Sequence, residues 1–342
     1  MDVVSDAISA VRVGRPSSDR VRVGGRWCAR LAPYEGAGFH IVLRGSCWLL
    51  PDGGEPVALG TGDAVLLPHG TGHVIADAPA DAETVAGAVP FDRWADGSLP
   101  RPPRPAPRAR EVELLCGKYR LDHRHAHPLL AELPPLVHLP AGEGAHPELR
   151  AAIGLLEGEL DARRPGASLA LPSLLDLLFV YMIRSWMAAG STTGTWPAAL
   201  GDPVAAAALR ALHSDPAAPW TVDRLAAEAG VSRPTLARRF TTLVGRPPMA
   251  YLTWWRLTRA AALLRDTEAP LATVARHVGY ASPYALSHAF RREFGTTPGR
   301  YRSTTVTPDR APAGPRTASR DGQGSRGPSR EGVSASASVS GS

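Results

Sequence analysis

Cysteine and histidine side chains in the front half of the chain could bind a metal ion. The candidates are Cys116, the alternating histidines His123, His125 and His127, and His69 further upstream. A thiolate with two or three imidazoles is a ligand set that zinc accepts in closed, four-coordinate sites. Because no tight Cys/His spacing motif supports such a site, an exposed polar segment is the simpler interpretation of the alternating histidines. Sensing of oxidants or electrophiles by the Cys116 thiol is a further alternative, which its pKa would decide.

Pairs of arginines in the back half of the chain could bind phosphate groups. They are Arg238-Arg239 and Arg291-Arg292, and they lie within residues 203–303, which hold 14 Arg and 6 acidic residues. The whole chain carries a net charge of only +6, so the residues before 203 are acidic on balance. A basic module joined to an acidic front half predicts a polyanionic partner such as nucleic acid. A solvated charged face explains the charge alone about as well. The choice between the two interpretations therefore depends on the structural elements that carry these arginines.

An internal repeat carries the paired arginines. Ala226 and Gly230 recur 49 residues later as Ala275 and Gly279. A further set recurs 50 residues later and consists of Ser232, Leu236, Phe240, Gly245, Pro248 and Tyr251. The one-residue change falls just after Gly230, and changes of length are typical of turns. A structural repeat therefore explains the pattern better than chance.

Each repeat unit predicts a helix, a turn and a second helix. The glycine supplies the left-handed conformation that ends the first helix. Ser232 and Ser282 are placed as N-caps of the second helices, and Pro234 and Pro283 fall in the first turn, where a missing N–H costs nothing. A lone helix-turn-helix pattern is a weak signal, but two in tandem, each with a basic second helix, are a strong one.

A long helix is predicted between the two units. It starts at Pro247-Pro248 and continues to about Thr267, so its length is about 26–29 Å. Such a rod can hold two recognition helices on one face of DNA, about one helical turn (~34 Å) apart. A single chain could therefore read two adjacent segments of the major groove.

The repeat contains further characteristic residues. They are Trp220–Ala226, Gly279–Ser282 and Phe290–Gly295, together with Pro298 and Tyr301. With them, residues 203–304 resemble the DNA-binding domain of the AraC/XylS family of transcription regulators. The resemblance implies sequence-specific binding to double-stranded promoter DNA. It also implies activation of transcription through contact with RNA polymerase.

The resemblance further implies which side chains reach the DNA. Base edges would be contacted by Pro234, Ala237 and Arg238 in the first recognition helix, and by Pro283, Tyr284, Ser287 and His288 in the second. Phosphates would be contacted by Arg233, Arg239, Arg291 and Arg292. The forked guanidinium of Arg238 matches guanine O6 and N7. His288 departs from the family, which often has arginine there, so the second helix is expected to read fewer bases or to rely on DNA shape.

Short β-prone runs separated by glycine and proline fill residues 20–90. They include Phe39–Leu43, Cys47–Leu50, Val57–Leu59, Ala64–Leu67, Val74–Ala76 and Thr84–Val89. The pattern predicts an antiparallel sandwich or barrel. A proline-rich loop is expected at 101–110, after which strand-like sequence resumes at 111–121.

Two segments of this region resemble the cupin motifs. Residues 62–73 fit the second motif, Gly-x5-Pro-x-Gly-x2-His, and residues 39–45 resemble the first in degraded form. The front domain is therefore similar to the cupin sensor fused to many AraC-type regulators. In that fold His40 and His73 would face one another across the interior of the barrel.

The cupin resemblance leaves the chemistry of the front domain open. Metal-binding cupins have a second histidine where Val42 stands, and no acid follows before Glu55, so the ligand set of iron oxygenases is incomplete. We expect a sensing site for a small-molecule or redox effector, with candidate residues His40, His73, Cys116 and His125. No cofactor is required there, although zinc is a candidate. A metal-dependent cupin enzyme fused to a DNA-binding domain is the alternative, and a purely structural dimer module is a third interpretation.

The predicted fold class is an α+β multidomain protein in four parts. They are a cupin-like β-barrel or sandwich (1–140), a helical hairpin (146–190), an all-α domain with two helix-turn-helix motifs (203–304) and a disordered tail (305–342). The hairpin is expected to make a homodimer or to relay the signal, because its apolar stripes need a partner.

Membrane insertion is not expected. The start of the chain lacks the basic and apolar segments of a signal peptide. The most apolar run, 171–189, contains Asp176 and Arg184, which a membrane span would rarely tolerate. The sequence therefore predicts a cytoplasmic protein with no membrane partner.

Overall fold

A computed structural model of the chain describes residues 2–79, 81–95, 111–121, 127–142, 146–162, 164–189 and 196–305. The proline-rich loop expected at 101–110, His123, His125 and the tail from residue 306 onward lie outside the described residues. Within them the predicted fold class is confirmed, with two β-sheets in the front half and helices in the back half.

Two five-stranded sheets form the front of the molecule. Their strands are β1 Ser17–Gly24, β2 Cys28–Leu31, β3 Ala37–Arg44, β4 Ser46–Pro51, β5 Val57–Gly60, β6 Ala64–Leu67, β7 His73–Ala76, β8 Val89–Pro90, β9 Glu111–Tyr119 and β10 Val137–Leu139. One sheet has the order β1-β9-β3-β6-β10 and the other β5-β4-β7-β2-β8. Apolar side chains from both sheets, such as Val42, Leu49, Val65, Ile75 and Leu114, form one buried cluster. The two sheets therefore pack face to face, as in a sandwich.

The strand predicted at Thr84–Val89 is wrong. Residues Ala82–Ala86 form a short helix instead, and the strand is reduced to Val89–Pro90. The cause is local, because the Asp81 carboxylate accepts a hydrogen bond of 2.8 Å from the backbone N–H of Thr84. A cap of this kind satisfies the free amides of a first helical turn.

Fourteen helices occur within the described residues. They are α1 Val3–Val11, α2 Ala82–Ala86, α3 Asp92–Ala95, α4 Pro128–Ala131, α5 Pro147–Ala162, α6 Ala167–Ala188, α7 Trp196–Gly201, α8 Pro203–Ser214, α9 Val222–Glu228, α10 Arg233–Val244, α11 Pro248–Asp266, α12 Leu271–His277, α13 Pro283–Phe294 and α14 Pro298–Thr305. Helices α5 and α6 are the predicted hairpin. Helices α9 to α14 contain the predicted tandem repeat.

The hairpin packs against the first sheet along one side of α6. The Tyr119 ring of β9 lies with its centroid 4.5 Å from that of Phe179, and its hydroxyl donates to the Leu175 carbonyl at 2.7 Å. By length and composition α6 is also the one described helix apolar enough to cross a membrane. Its Asp176 forms an ion pair of 2.6 Å with Arg12, so this side of the helix is engaged within the protein.

Helix α1 joins the front of the molecule to its back. Its apolar residues Val3, Ala7, Ile8 and Val11 are buried in a cluster that continues from the sheets into α8 and α11. The Arg265 guanidinium of α11 also donates to the Ala10 carbonyl at 3.3 Å. Helix α1 therefore contacts the back half directly, in addition to the 146–190 hairpin that the sequence predicts as a relay.

Candidate nucleic-acid interface and internal cavity

The tandem repeat folds as two helix-turn-helix units, α9–α10 and α12–α13. The predicted N-caps are confirmed, because the hydroxyls of Ser232 and Ser282 accept from the amides three residues on, at 3.4 and 3.1 Å. Gly245 and Gly295 end α10 and α13 with φ of +77° and +68°, a conformation that disfavours other residues. The same local signals therefore build both units.

Helix α11 is a structural rod shared by the two units. At 19 residues it is about 28 Å long, within the predicted range. Its first half buries Tyr251 and Trp255 in the core that holds α10. Its second half buries Leu257 and Leu264 in a separate core with α12 and α13. The rod therefore fixes one helix-turn-helix unit relative to the other.

Each second helix has a buried face and an exposed face. Leu236 and Phe240 of α10, like Leu286 and Phe290 of α13, are fully buried. The residues implied for base contact lie on the other side, where Pro234, Arg238, Pro283, Tyr284 and His288 are exposed and Ala237 and Ser287 are half-buried. Tyr284 is 82% exposed, an unusual position for a large aromatic side chain. The exposed faces thus carry the candidate base-reading side chains.

The arginines implied for phosphate contact differ in what they bind within the protein. Arg239 forms a close ion pair with Asp202, whose carboxylate also caps α8. Backbone amides and the Arg239 charge together lower the pKa of Asp202, which keeps this carboxylate ionised. Arg233 has a looser, exposed pair of 3.6 Å with Asp223. Arg239 is therefore engaged in holding α10 against α8, a role that its sequence position did not indicate.

A cavity of about 290 Å³ opens between the two sheets. The first sheet contributes Ser17, Asp19, Gly38, His40, Cys116 and Lys118, and the second contributes Arg30, Leu31 and His73, with Tyr34 and Phe91 from loops. Strand register explains this, because Asp19, Cys116 and His40 pair across β1, β9 and β3, and side chains in such a row share one face. In the next row inward, Val21, Leu114 and Val42 are apolar. The cavity thus lies where the inner face changes from apolar to polar.

The two cupin histidines meet on the cavity wall, as the resemblance implies. His40 Nε2 lies 2.7 Å from His73 Nε2, and both rings are buried. Burial lowers the pKa of His40 well below its ordinary value, and the neighbouring His73 lowers it further. Burial likewise lowers the pKa of His73. Both imidazoles are therefore neutral at physiological pH.

Cys116 lies beside His40 in the strand register, but its chemistry is that of a buried thiol. Burial raises the pKa of Cys116 well above its ordinary value, with a smaller contribution from Cys47. A protonated thiol is a poor nucleophile and a poor zinc ligand. The environment of Cys116 therefore favours packing over redox or metal chemistry.

His127 lies far from the cavity, in a buried chain of hydrogen bonds that joins front and back. Its Nδ1 accepts from the Leu129 N–H at 3.2 Å, and its Nε2 lies 3.0 Å from the Tyr251 hydroxyl. That hydroxyl lies 2.7 Å from His213 Nε2, and His213 Nδ1 lies 3.1 Å from the Asp6 carboxylate. One assignment of protons satisfies every group: His127 donates to Tyr251, Tyr251 to His213, and His213 to Asp6.

The chain matches two family models. A model described as Cupin matches residues 2–188, more than half of the chain, and one described as Helix-turn-helix domain matches residues 225–304. An AraC-like transcription regulator of Streptomyces lividans is 38% identical over 310 residues, which is 90% of this chain and 100% of that protein. The chain belongs to the AraC-like transcription regulators.

Other relatives of this AraC-like regulator have named roles. RclR of Escherichia coli, an RCS-specific HTH-type transcriptional activator, is 32% identical over 69% of this chain and 87% of its own length. The crystal structure of the DNA-binding domain of AdpA in complex with a target DNA is similar at 37% identity and a TM-score of 0.29, covering 30% of this chain and 92% of that one. Since the relatives that match along most of the chain are named as transcription regulators, this AraC-like protein is a regulator and not a cupin enzyme.

The residues described for this AraC-like regulator do not fit a zinc site at the cavity. Two nitrogens bound to one zinc ion at 2.0–2.1 Å are separated by about 3.3 Å in a tetrahedral site, whereas those of His40 and His73 are 2.7 Å apart. No group of three potential ligands occurs among the described residues. Neither His127 nor His69, two of the candidate metal ligands, lines the cavity: His127 contacts Tyr251, and His69 donates to the Leu133 carbonyl at 2.7 Å. His125 lies outside the described residues, so its part in the site stays a prediction.

Proposed function

We propose that this AraC-like regulator is a cytoplasmic, promoter-specific transcription activator controlled by a small molecule that binds the cavity between its sheets. The observation that carries the proposal is the pair of exposed recognition-helix faces on one rigid rod. The net charge of the residues that bear them supports a DNA partner. The cavity supports effector control, because an internal space with a few buried polar groups is typical of ligand sites.

Arg238 and Arg291 are expected to differ in how their loss affects DNA binding. Arg238→Ala removes a fork that matches guanine, so it should cost about 1–3 kcal/mol at one base position and relax the preference there. Arg291→Ala removes a phosphate contact, so it should weaken binding to all sequences alike. The measurement is a titration of the full chain with its genomic target fragment and with that fragment randomised base by base.

Arg239→Ala provides the matched control for this pair. Its ion pair with Asp202 lies within the protein, so its loss should lower the melting temperature more than it alters DNA selectivity. An Arg238→Ala protein that loses affinity equally for target and scrambled DNA would contradict the assignment of Arg238 to base reading.

Activation through RNA polymerase is proposed on the family resemblance and on the activator among the relatives. The chain would bind beside a promoter and hold the polymerase by direct contact. Transcription from a purified template should then rise when the full chain is added at concentrations that saturate its site. A fall in transcription under those conditions would make the protein a repressor.

A homodimer is proposed through the α5–α6 hairpin. Among the described residues the exposed large apolar side chains include Leu155, Leu169 and Leu177, all on the hairpin, with exposures of 59, 71 and 37%. Three large apolar side chains left exposed on one helical hairpin support its use as an interface. The double variant Leu155→Asp, Leu169→Asp is therefore expected to sediment as a monomer at concentrations where the unaltered chain is a dimer.

Ala151→Ser, at an exposed position of α5, is the control for the dimer experiment. It should leave the sedimentation coefficient unchanged. A double leucine variant that stays dimeric would place the subunit contact elsewhere on the molecule.

A further inference from the structure

Two polar atoms of residues that line the cavity lack a hydrogen-bond partner among the described residues. They are Nδ1 of His40 and the hydroxyl of Tyr34, and both are buried. Burial of a polar group without a hydrogen bond is unfavourable, so such groups are rare unless they have a function. Their hydrogen-bonding capacity defines what the cavity can bind.

The proton positions of the histidine pair follow from a backbone carbonyl. His73 Nδ1 lies 2.9 Å from the Thr71 carbonyl oxygen, which can only accept, so this nitrogen carries the proton. The neutral His73 therefore presents a lone pair at Nε2, and His40 Nε2 must be the donor across the 2.7 Å contact. His40 Nδ1 is then an unprotonated acceptor. Whatever binds beside it must donate a hydrogen bond.

The Tyr34 hydroxyl packs against the backbone of Gly38, on the face of β3 that also carries His40. A Cβ atom at Gly38 would come within 2.7 Å of this hydroxyl, so glycine leaves the space that it occupies. Gly38 and His40 are two residues apart on one strand, which places both on one face in neighbouring rows. The glycine that lies against the unpaired hydroxyl and the residue that carries the unpaired imidazole nitrogen are therefore adjacent on one face of the strand. The hydroxyl offers a proton and the nitrogen requires one.

We propose that the cavity binds a phenol, a neutral aromatic molecule whose hydroxyl donates to His40 Nδ1 and accepts from Tyr34. This inference rests on the proposed function, in which the ligand of the cavity is the effector. A hydroxyl both donates and accepts at a single atom, as the two unpaired groups require. The ring would lie against the apolar wall formed by Leu31, Pro33 and Phe91. The volume of about 290 Å³ accommodates a substituted phenol.

Charged ligands of the same size match the cavity less well. A carboxylate accepts but does not donate, so it leaves His40 Nδ1 without a proton; the lining holds Arg30 and Lys118 as well as Asp19 and Asp92, so its charge gives no compensating preference for an anion. An ammonium donates but does not accept, so it leaves the Tyr34 hydroxyl without an acceptor. A plain hydrocarbon satisfies neither polar group. Selectivity among these ligands is therefore the property to measure.

The test is calorimetric titration of the full chain with phenol, toluene, benzoate and benzylamine. Phenol is expected to bind at least roughly tenfold more tightly than each of the others, since a site with buried hydrogen-bonding groups rejects analogues that cannot pair with them. Tyr34→Phe should lower the affinity for phenol about five- to tenfold and leave that for toluene unchanged. Tyr181→Phe, on the hairpin and away from the cavity lining, is the matched control and should change neither.

Acylation of Lys118 reports where the ligand binds, because Lys118 is the single lysine of the chain and lines the cavity. Phenol in the cavity should slow acylation of Lys118, and mass spectrometry reports that one site directly. Equal affinities for phenol and toluene, tightest binding of benzoate or benzylamine, or unchanged acylation would each overturn the phenol proposal. If promoter selectivity still depends on Arg238 in those cases, the proposed DNA-binding function is retained. If selectivity does not depend on Arg238, the proposed DNA-binding function is overturned separately from the phenol proposal.

Discussion

Acidification from pH 7.5 to 5.5 is expected to lower the free energy of unfolding by several kcal/mol. Burial lowers the pKa of four histidines: His40, His73, His127 and His213. In the unfolded chain a histidine takes up its proton near pH 6.5. Below that pH the unfolded state therefore binds more protons than the folded state, and stability falls at up to about 1.4 kcal/mol per pH unit for each histidine. The loss ends once the pH has passed below the folded pKa values.

Denaturant titrations followed by tryptophan fluorescence at several pH values measure this effect. His213→Gln should reduce the slope of the unfolding free energy against pH, between pH 6.5 and 5.5, by up to about 1.4 kcal/mol per pH unit. The reason is that one buried proton acceptor is removed. His288→Gln, at an exposed position of α13, is the control. Stability that does not change between pH 7.5 and 5.5 would show that these histidines are not held neutral.

Binding to the target DNA should weaken at least roughly fortyfold when salt is raised from 50 to 200 mM. Each neutralised phosphate contributes about −0.9 to the slope of log affinity against log salt. Arg233, Arg291 and Arg292 are the exposed phosphate candidates that form no close ion pair with any described residue, and they alone give a slope near −2.7. Arg239 is left out of this count because it binds Asp202.

Salt titrations of Arg292→Ala and Arg239→Ala distinguish these contributions. The first should flatten the slope by about 0.9, and the second should leave it nearly unchanged. An affinity that is independent of salt in the unaltered protein would contradict a phosphate-binding role for the whole basic module.

The elements set by local signals could be predicted from the sequence. Ser232 and Ser282 as caps, and the glycines that end α10 and α13, act within a few residues, so the repeat revealed both units. The meeting of His40 and His73 was also predicted, through their resemblance to the two cupin motifs. Where such a signal is weak, as at Asp81 before Thr84, the sequence predicts a strand although the chain forms a short capped helix.

The contacts between distant segments could not be predicted. Asp6 and His213 are 207 residues apart, and His127 and Tyr251 are 124 apart, so no spacing pattern links them. Tyr251 and Tyr301 are equivalent in the repeat, and each packs edge-on against the equivalent phenylalanine, Phe240 or Phe290, but the Tyr251 hydroxyl also bridges two histidines. Its equivalent position therefore indicated the fold of the unit but not the role of the side chain.

The attachment of α1 to the far end of α11 affects how the chain is synthesised. Ala10 bonds to Arg265, 255 residues later, so this contact cannot form until the ribosome has completed most of the protein. At about 5–20 residues per second, that interval is on the order of 13–50 s. Throughout it the apolar face of α1, with Val3, Ile8 and Val11, lacks the part of its core that α8 and α11 supply. Docking of α1 is thus completed only after the DNA-binding domain has emerged, although α1 is synthesised 255 residues earlier.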